Sequence, residues 1–167
     1  MNFEELYRRN IDTVYATAFL HLKNKSDAED AAQTVFMKYL AASPDFTDEN
    51  HEKAWFILTT RNHCKNVLKH WWNRLRTDTE NEESCVPVFV GEKDGDLTDV
   101  LMALPEKYRE LIYLYYYEEY SVKEISHITG KNESTIRTQL ARAREKLKKK
   151  LERKGVCCEK SEVNLNV

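Results

Sequence analysis

Apolar residues recur at steps of three and four through the first half of the chain, which is the spacing of one face of an α-helix. One such pattern runs through residues 6–22 and a second through residues 26–40. The second opens on Ser26-Asp27-Ala28-Glu29, which has the form of a capping box. In a capping box the side chains of the first and fourth residues each accept a hydrogen bond from the backbone amide of the other. A third pattern covers residues 53–74, and we expect three helices in an amino-terminal bundle. Expected inward positions of the third helix are Trp55, Leu58, Asn62, Val67, Leu68 and Trp72.

The second half of the chain predicts a helix-turn-helix. Ser121-Val122-Lys123-Glu124 again has the capping-box form and would open a short helix. Gly130 would then turn the chain into a long helix over residues 133–153. The expected inward side chains of the motif are Val122, Ile125, Ile128, Ile136 and Leu140.

Helix-breaking residues separate the two halves. A proline and two glycines lie within residues 76–96, which contain few large apolar residues, and we expect an extended linker there. Two further helices, over residues 97–104 and 105–119, would precede the helix-turn-helix. The predicted fold class is therefore all-α, with two small helical domains. Their expected bounds are a first domain at 1–75, the linker at 76–96, a second domain at 97–153 and a tail at 154–167.

The net charge of −2 conceals a strongly uneven distribution. Residues 61–76 contain five basic residues and no acidic one, which gives +5. Residues 77–99 contain eight acidic residues against one lysine, which gives −7. Residues 131–154 contain ten basic and three acidic residues, which gives +7. Two basic patches are thus separated by an acidic strip, a pattern that favours nucleic-acid binding by both domains.

The chain has no recognisable catalytic motif. It contains no phosphate-binding glycine loop, no G-x-S-x-G and no H-E-x-x-H, and its five histidines are scattered. Its cysteines also lack the C-x-x-C spacing of zinc sites. Cys64 is expected in a helix core, while the adjacent pair in the tail could alternatively sense redox state or metal. We expect no enzyme, no cofactor and no metal site. The four cysteines are Cys64, Cys85, Cys157 and Cys158.

Nothing in the sequence predicts a membrane protein. No apolar run reaches the roughly 18–20 residues that cross a bilayer. The first residues lack the charged-then-apolar pattern of a secretory signal. We expect a cytoplasmic protein without membrane insertion.

The last long predicted helix carries side chains of the kinds that read duplex DNA. An arginine can bond a guanine edge with two hydrogen bonds, and a glutamine can do the same for adenine. Lys146 and the lysines after it suit contacts to phosphate, which position a protein without reading sequence. The plain alternative is an exposed basic helix without a partner. The outward candidates are Arg137, Thr138, Gln139, Ala141, Arg142 and Arg144.

A second basic surface lies within residues 53–76, where aromatic residues alternate with cations. Aromatic faces stack on exposed bases and cations neutralise phosphates, so this composition suits single-stranded DNA. The alternative is that Trp and Phe at helical spacing simply form core. From the residues alone, both interpretations stay open.

Three segments, in order and spacing, resemble the extracytoplasmic-function class of bacterial sigma factors. Residues 26–36 resemble the polymerase-binding helix of that family, and residues 53–62 its promoter-melting segment. Residues 104–110 and 121–144 resemble its upstream-promoter-binding domain. The resemblance covers roughly residues 3–152. It departs from the family at Thr34, where Glu is usual and one polymerase contact would weaken, and at Ser126, where Ala is usual.

The resemblance implies a role for each matching residue. Core RNA polymerase and promoter DNA, both duplex and melted, would be the partners, and members of the class are commonly held by an anti-sigma factor. Residues 45–51 would help to select the flipped base of the minus-ten element, and the acidic linker would thread through polymerase channels. The implied polymerase-binding residues are Asp30, Gln33 and Thr34. The residues implied to contact the melted minus-ten element are Trp55, Arg61, Asn62 and Lys65. The residues implied to contact the minus-thirty-five element are Arg137, Thr138, Gln139, Arg142 and Lys146.

One competing function remains at this point. A stand-alone helix-turn-helix regulator, which binds duplex DNA without polymerase, would account for the second domain. It would leave the basic-aromatic surface of the first domain and the acidic strip without a role.

Overall fold

The computed structural model describes residues 3–75 and 95–153, with side chains for 3–72 and 99–153. Within these ranges the secondary structure is helical and contains no strand, so the predicted all-α class is confirmed. The elements are α1 (Phe3–Leu22), α2 (Lys25–Ala42), α3 (Glu49–Leu75), α4 (Gly95–Met102), α5 (Glu106–Ile112), a π-helical turn (Tyr113–Tyr117), α6 (Val122–Thr129) and α7 (Glu133–Arg153).

The amino-terminal bundle is formed by α1, α2 and α3. Its core contains the fully buried side chains of Leu6, Val14, Val35 and Phe56. Burial of such apolar side chains is the main force that holds amphipathic helices together. The buried carboxylate of Glu52 links α3 to α1 through polar contacts. It accepts hydrogen bonds from the side-chain amide of Asn10 at 2.6 Å and from Arg9 Nε at 3.1 Å.

The start of α2 differs from the prediction. Asn24, with φ −134° and ψ 132°, is the N-cap, and its side-chain oxygen accepts a hydrogen bond from the Asp27 amide at 3.2 Å. Asn and Ser are equally good N-cap residues, so the residue type did not decide between them. Ser26 lies inside the first turn and is exposed. The expected capping box at Ser26 was therefore wrong.

The inward face of α3 also differs from the prediction. Leu58, Asn62 and Trp72 are exposed, whereas Ile57 and Cys64 are buried. Trp55, Val67 and Leu68, from the same expected set, are half-buried against the core, so the expectation is partly confirmed. The face with Ile57 and Cys64 is covered because it lies against both the bundle and the carboxy-terminal helices. Cys64 in a helix core is confirmed.

The helix-turn-helix forms as predicted. Ser121 Oγ accepts from the Glu124 amide at 3.3 Å, and the Glu124 carboxylate accepts from the Ser121 amide at 2.8 Å, which completes the capping box. The Ser121 hydroxyl also donates to the Glu124 carboxylate at 2.6 Å, and this bond, together with that from the Ser121 amide, holds the pKa of Glu124 below its ordinary value. Gly130 ends α6 in the left-handed region, at φ 69°, where a residue without Cβ is least strained. Ile125, Ile128, Ile136 and Leu140 are buried, and Val122 is half-buried against the same core.

Ser126 has a structural role that accounts for its departure from the family pattern. Its hydroxyl donates a hydrogen bond to the Lys131 carbonyl oxygen at 2.6 Å. This bond ties α6 to the turn that precedes α7, and it satisfies a carbonyl group that an alanine would leave without this partner.

The predicted boundary between the domains is only partly covered by the structure. Helix α4 begins at Gly95, so residues 95 and 96 are helical, not linker. The rest of the acidic strip, with Cys85, lies outside the described residues, as does the tail with Cys157 and Cys158.

The two helical modules are packed against each other. A single hydrophobic cluster contains Ile57 and Cys64 of α3 together with Tyr108, Leu111 and Ile125 of the second module. Helix α1 packs on α5, and α3 packs on α6. The two predicted domains thus share one continuous core in this structure.

None of the described helices is long and apolar enough to cross a membrane. Among the residues with described side chains, no cluster of His, Cys, Asp and Glu could hold a metal ion.

Candidate polymerase and promoter surfaces

Helix α7 presents most of the predicted duplex-reading residues on one face. Steps of three and four residues place Thr138, Gln139, Arg142 and Lys146 within about 100° of each other around a helix with 3.6 residues per turn. Three of them are exposed, and Gln139 is half-buried. Arg137 is exposed beside this face and donates a hydrogen bond to Glu133 at 2.9 Å. The opposite side of the helix is buried against the core through Ile136, Leu140 and Ala143.

Two of these side chains have contacts that orient them. Gln139 accepts a hydrogen bond at its side-chain oxygen from Lys131 Nζ at 3.4 Å. Lys146 Nζ lies 6.0 Å from the centre of the Tyr108 ring, at the edge of the cation–π range. The exposed Arg142 thus lies between Gln139, which contacts the turn before α7, and Lys146, which lies near α5.

The exposed side of α3 forms what we term the outer stripe, whose members recur at steps of three and four. It mixes aromatic, amide and cationic groups over about 25 Å, at 1.5 Å per residue. Partial burial and the nearby charge of Arg61 lower the pKa of Lys65 within it. The outer stripe consists of Trp55, Leu58, Asn62, Lys65, Lys69 and Trp72.

Trp55 is the most enclosed member of the outer stripe. Its ring is half-buried and lies 6.2 Å from that of Tyr39, 6.0 Å from that of Phe46 and 5.1 Å from that of Phe56, measured between centres. Aromatic pairs at these separations stabilise each other. The interpretation of this tryptophan as part of the core is therefore partly confirmed, because its half-buried ring belongs to an aromatic cluster, while its contact with DNA stays a prediction.

Arg61 does not lie on the outer stripe with the other three predicted minus-ten residues. Only 6% of its surface is exposed, and its guanidinium pairs with the carboxylate of Glu110 on α5. Arg61 Nη2 also donates to the Thr129 carbonyl oxygen at 3.3 Å. In this arrangement Arg61 faces the second module and is covered by it.

The predicted polymerase-binding residues lie together on α2. Asp30 and Gln33 are exposed, while the half-buried Thr34 donates its hydroxyl hydrogen to the Asp30 carbonyl oxygen at 2.9 Å. The same face continues through Met37 and Leu40, which are 65% and 50% exposed. Sequence reasoning did not single out Met37 and counted Leu40 with the apolar pattern of the helix. The steps 30, 33, 37 and 40 could have identified this face.

Oppositely charged residues meet where the two modules pack, and we term this group the charged seam. His21 Nδ1 lies 2.7 Å from the Glu106 carboxylate, and this hydrogen bond holds the pKa of Glu106 below its ordinary value. Lys53 of α3 pairs with Glu118, directly after the π-helical turn. The charged seam consists of His21, Lys53 and Arg61 from the first module and Glu106, Glu110 and Glu118 from the second.

Comparisons with known proteins identify the family of both modules. Residues 6–73 match the family described as Sigma-70 region 2, and residues 94–147 match Sigma-70, region 4. The RNA polymerase sigma factor SigV of Bacillus subtilis is 32% identical over 130 residues, which cover 77% of this chain and 78% of the relative. The ECF RNA polymerase sigma factor SigM of the same organism is 29% identical over 154 residues, or 89% and 94% of the two chains.

A solved structure shares the fold. The sigma factor RpoE in complex with the anti-sigma factor NepR, from Bartonella quintana, superposes with a TM-score of 0.74 over 90% of this chain and 96% of that one, at 23% identity. Together, the two region matches and the identity to SigV establish the family. The chain belongs to the RNA polymerase sigma factors of the sigma-70 family, in their extracytoplasmic-function class.

Proposed function

We propose that three separate surfaces of this sigma factor divide promoter-specific initiation between them. The outer face of α7 reads the minus-thirty-five element as duplex, the outer stripe of α3 holds the melted minus-ten element, and the exposed face of α2 binds core polymerase. The observation that carries this division is the outer stripe, which presents stacking, hydrogen-bonding and cationic groups along one exposed face.

The chemistry of α7 suits a major groove. Arg142 and Arg137 can each bond a guanine edge, and the amide of Gln139 can bond adenine. Lys146 supplies a charge for phosphate, which adds affinity without sequence preference. Glu133, through its hydrogen bond to Arg137, limits the orientations that this guanidinium can take.

The chemistry of the outer stripe suits unpaired bases. The Asn62 side chain offers both a donor and an acceptor to a flipped base. Trp55 offers an aromatic edge about 10 Å away along the helix, and Lys65 lies one turn further on in the other direction. In the packed arrangement Arg61 cannot join them, because its guanidinium is paired with Glu110.

Along the exposed face of α2, two polar residues are followed by an apolar pair. Asp30 and Gln33 offer hydrogen bonds, and Met37 and Leu40 offer apolar area that gains free energy when a partner covers it. Methionine adapts its shape readily and is common at protein-binding surfaces. Thr34 contributes less than a glutamate would, since its hydroxyl is turned back to the helix.

The proposed setting follows from this function. Initiation takes place on the chromosome, so the chain acts in the cytoplasm, and polymerase supplies the catalytic chemistry, so we assign no catalytic residue. The related Bartonella quintana factor was solved with an anti-sigma factor, and we infer that this chain also has an anti-sigma partner.

Substitution of Asn62 tests the minus-ten assignment. Asn62→Ala should lower promoter-dependent transcription at least tenfold and leave binding to core polymerase unchanged, because the side chain acts only after the strands separate. A template that is already melted at the minus-ten element should restore most of the activity. Lys25→Ala, an exposed change outside the three surfaces, is the control. Normal activity of Asn62→Ala on duplex templates would refute the assignment.

Substitution of Arg142 tests the minus-thirty-five assignment. Loss of a bidentate base contact costs about 1–3 kcal/mol, so Arg142→Ala should weaken initiation between about fivefold and about 150-fold. The loss should disappear on a template without a minus-thirty-five element. A stand-alone regulator would instead bind duplex equally well with and without polymerase, and Arg142→Ala would then alter binding but no transcript.

A further inference from the structure

A lysine in the turn of the helix-turn-helix contacts one of the side chains proposed to read the minus-thirty-five element. Lys131 Nζ donates a hydrogen bond to the side-chain oxygen of Gln139 at 3.4 Å. We propose that Lys131 is a specificity-determining residue, which orients the Gln139 amide so that it selects guanine over adenine in duplex DNA. This inference rests on the proposed role of α7 and names the base that one of its side chains reads.

The direction of this contact determines which end of the amide remains for a base. An ammonium group has three donors and no acceptor, so only the oxygen of the Gln139 amide can bond to it. The amino group of the same amide keeps its two hydrogens for another partner. Gln139 lies on the outer face of α7 beside the exposed Arg142. It therefore presents hydrogen-bond donors to a base edge, while its acceptor is engaged by the protein.

The bases differ in how well they fit such a donor. A glutamine with both ends free bonds adenine through two contacts, because adenine presents the N7 acceptor and the N6 donor in the major groove. Here the adenine amino group and the Lys131 ammonium would compete for one amide oxygen. Guanine presents two acceptors, N7 and O6, at the same edge. That edge accepts from the Gln139 amino group, and the nearby positive charge of Lys131 stabilises it further.

The backbone of Lys131 is held on both sides of the residue. Gly130, directly before it, ends α6 at φ 69°, and α7 begins two residues after it, at Glu133. The Lys131 carbonyl oxygen accepts a hydrogen bond from the Ser126 hydroxyl at 2.6 Å. A side chain on a fixed backbone loses less conformational freedom when it forms a contact. The turn thus favours the contact between Lys131 and Gln139 before DNA binds.

The neighbouring polar groups of α7 are engaged elsewhere. The Glu133 carboxylate, the first acidic group after Lys131, accepts a hydrogen bond from Arg137 at 2.9 Å. The Thr138 hydroxyl donates to a carbonyl oxygen of its own helix at 3.0 Å. Of Thr138 and Gln139, the two uncharged side chains of the outer face, Gln139 is therefore the one whose donors remain available for a base.

The test measures base preference with the full chain bound to core polymerase. Duplex templates carry a library randomised across the minus-thirty-five element, and a downstream barcode identifies each element in its transcript. Gln139→Ala identifies the position that Gln139 reads, because the preference there should disappear. The parent should prefer guanine to adenine at that position. Lys131→Met should shift the ratio about tenfold toward adenine, which is within the range of one bidentate pair.

Three further variants separate orientation of the amide from a general effect of charge. Lys131→Arg keeps a cationic donor and should retain the parental ratio. Lys123→Met removes one exposed positive charge from α6 and should alter the ratio at no position. Lys131→Met added to Gln139→Ala should cause no further change at the position read by Gln139, because Lys131 acts through that side chain.

Three results would each overturn the inference. They are a parental preference for adenine at the position read by Gln139, an unchanged ratio in Lys131→Met, and the absence of any position at which Gln139→Ala alters the preference. If Lys131→Met lowers transcription equally from all templates and makes its salt dependence shallower, Lys131 is a phosphate contact and the inference also fails. Failure of the proposed function is different, since the parent would then give no promoter-specific transcript.

Discussion

Glu106 is a residue whose charge state depends on the contact between the modules. Its half-buried carboxylate accepts a hydrogen bond from His21 Nδ1 at 2.7 Å, and this bond lowers its pKa more than burial raises it. The charges of His21, Lys65 and Arg109 lower the pKa further. The ionised form of Glu106 is therefore favoured by the packed arrangement.

Removal of His21 should raise the pKa of Glu106 toward its ordinary value. A carboxylate with a lowered pKa stabilises the folded chain above its unfolded pKa, about 4.3, and loses that stabilisation as the pH falls through the folded value. The parent should accordingly lose stability below about pH 4.5, and His21→Ala should lose less over the same range. Carboxyl chemical shifts followed by NMR measure the pKa directly.

His21→Asn is the matched control, because an amide can still donate to the carboxylate. It should restore part of the shift that His21→Ala removes. Identical titration of Glu106 in the parent and in His21→Ala would contradict the role assigned to this hydrogen bond.

Arg61 shows that the partner of a side chain cannot be predicted from its neighbours in the sequence alone. The family resemblance implied a DNA contact, but the structure buries its guanidinium against Glu110. One signal pointed inward: Arg61 follows Ile57 by four residues and precedes Cys64 by three, so all three share a helix face. Nothing local indicated that Glu110, 49 residues away, would be its partner.

At the scale of elements, local rules were sufficient where the signal was local. The helix-turn-helix is an example, because each of its features depends on a few neighbouring residues. Its capping box at Ser121, its glycine turn and its inward isoleucines all formed as expected. The third helix required more. Its expected inward stripe through Leu58, Asn62 and Trp72 exists, but it faces outward. Periodicity indicates a stripe, and only tertiary packing decides which stripe is covered.

The start of α2 yields a prediction at the same scale. Asn24→Ala should lower the free energy of unfolding by about 1 kcal/mol, because the Asp27 amide loses its cap. Ser26→Ala should change it by less than about 0.5 kcal/mol, as expected for an exposed site without such a role. Urea unfolding of both variants measures the difference. A larger loss for Ser26→Ala than for Asn24→Ala would show that the capping box of the sequence prediction forms after all.

At the scale of the whole molecule, charge has two functions. The basic surfaces of α3 and α7 suit a polyanion, while carboxylates on the second module neutralise part of the first. Two domains could be predicted from the sequence, because each has its own pattern of apolar positions. The packing of the two domains against each other could not be predicted, because it depends on ion pairs between residues far apart in the chain. Each domain alone could also bury its apolar side chains in a different way.

The most direct test of the central claim is run-off transcription with core RNA polymerase. Purified chain, core enzyme and a library of promoter fragments should give transcripts of defined length from a subset with shared minus-ten and minus-thirty-five elements, and none without the chain. The expected result is dependence on both elements in the same transcript. Duplex binding by the chain without polymerase association, and without any chain-dependent transcript, would contradict the account.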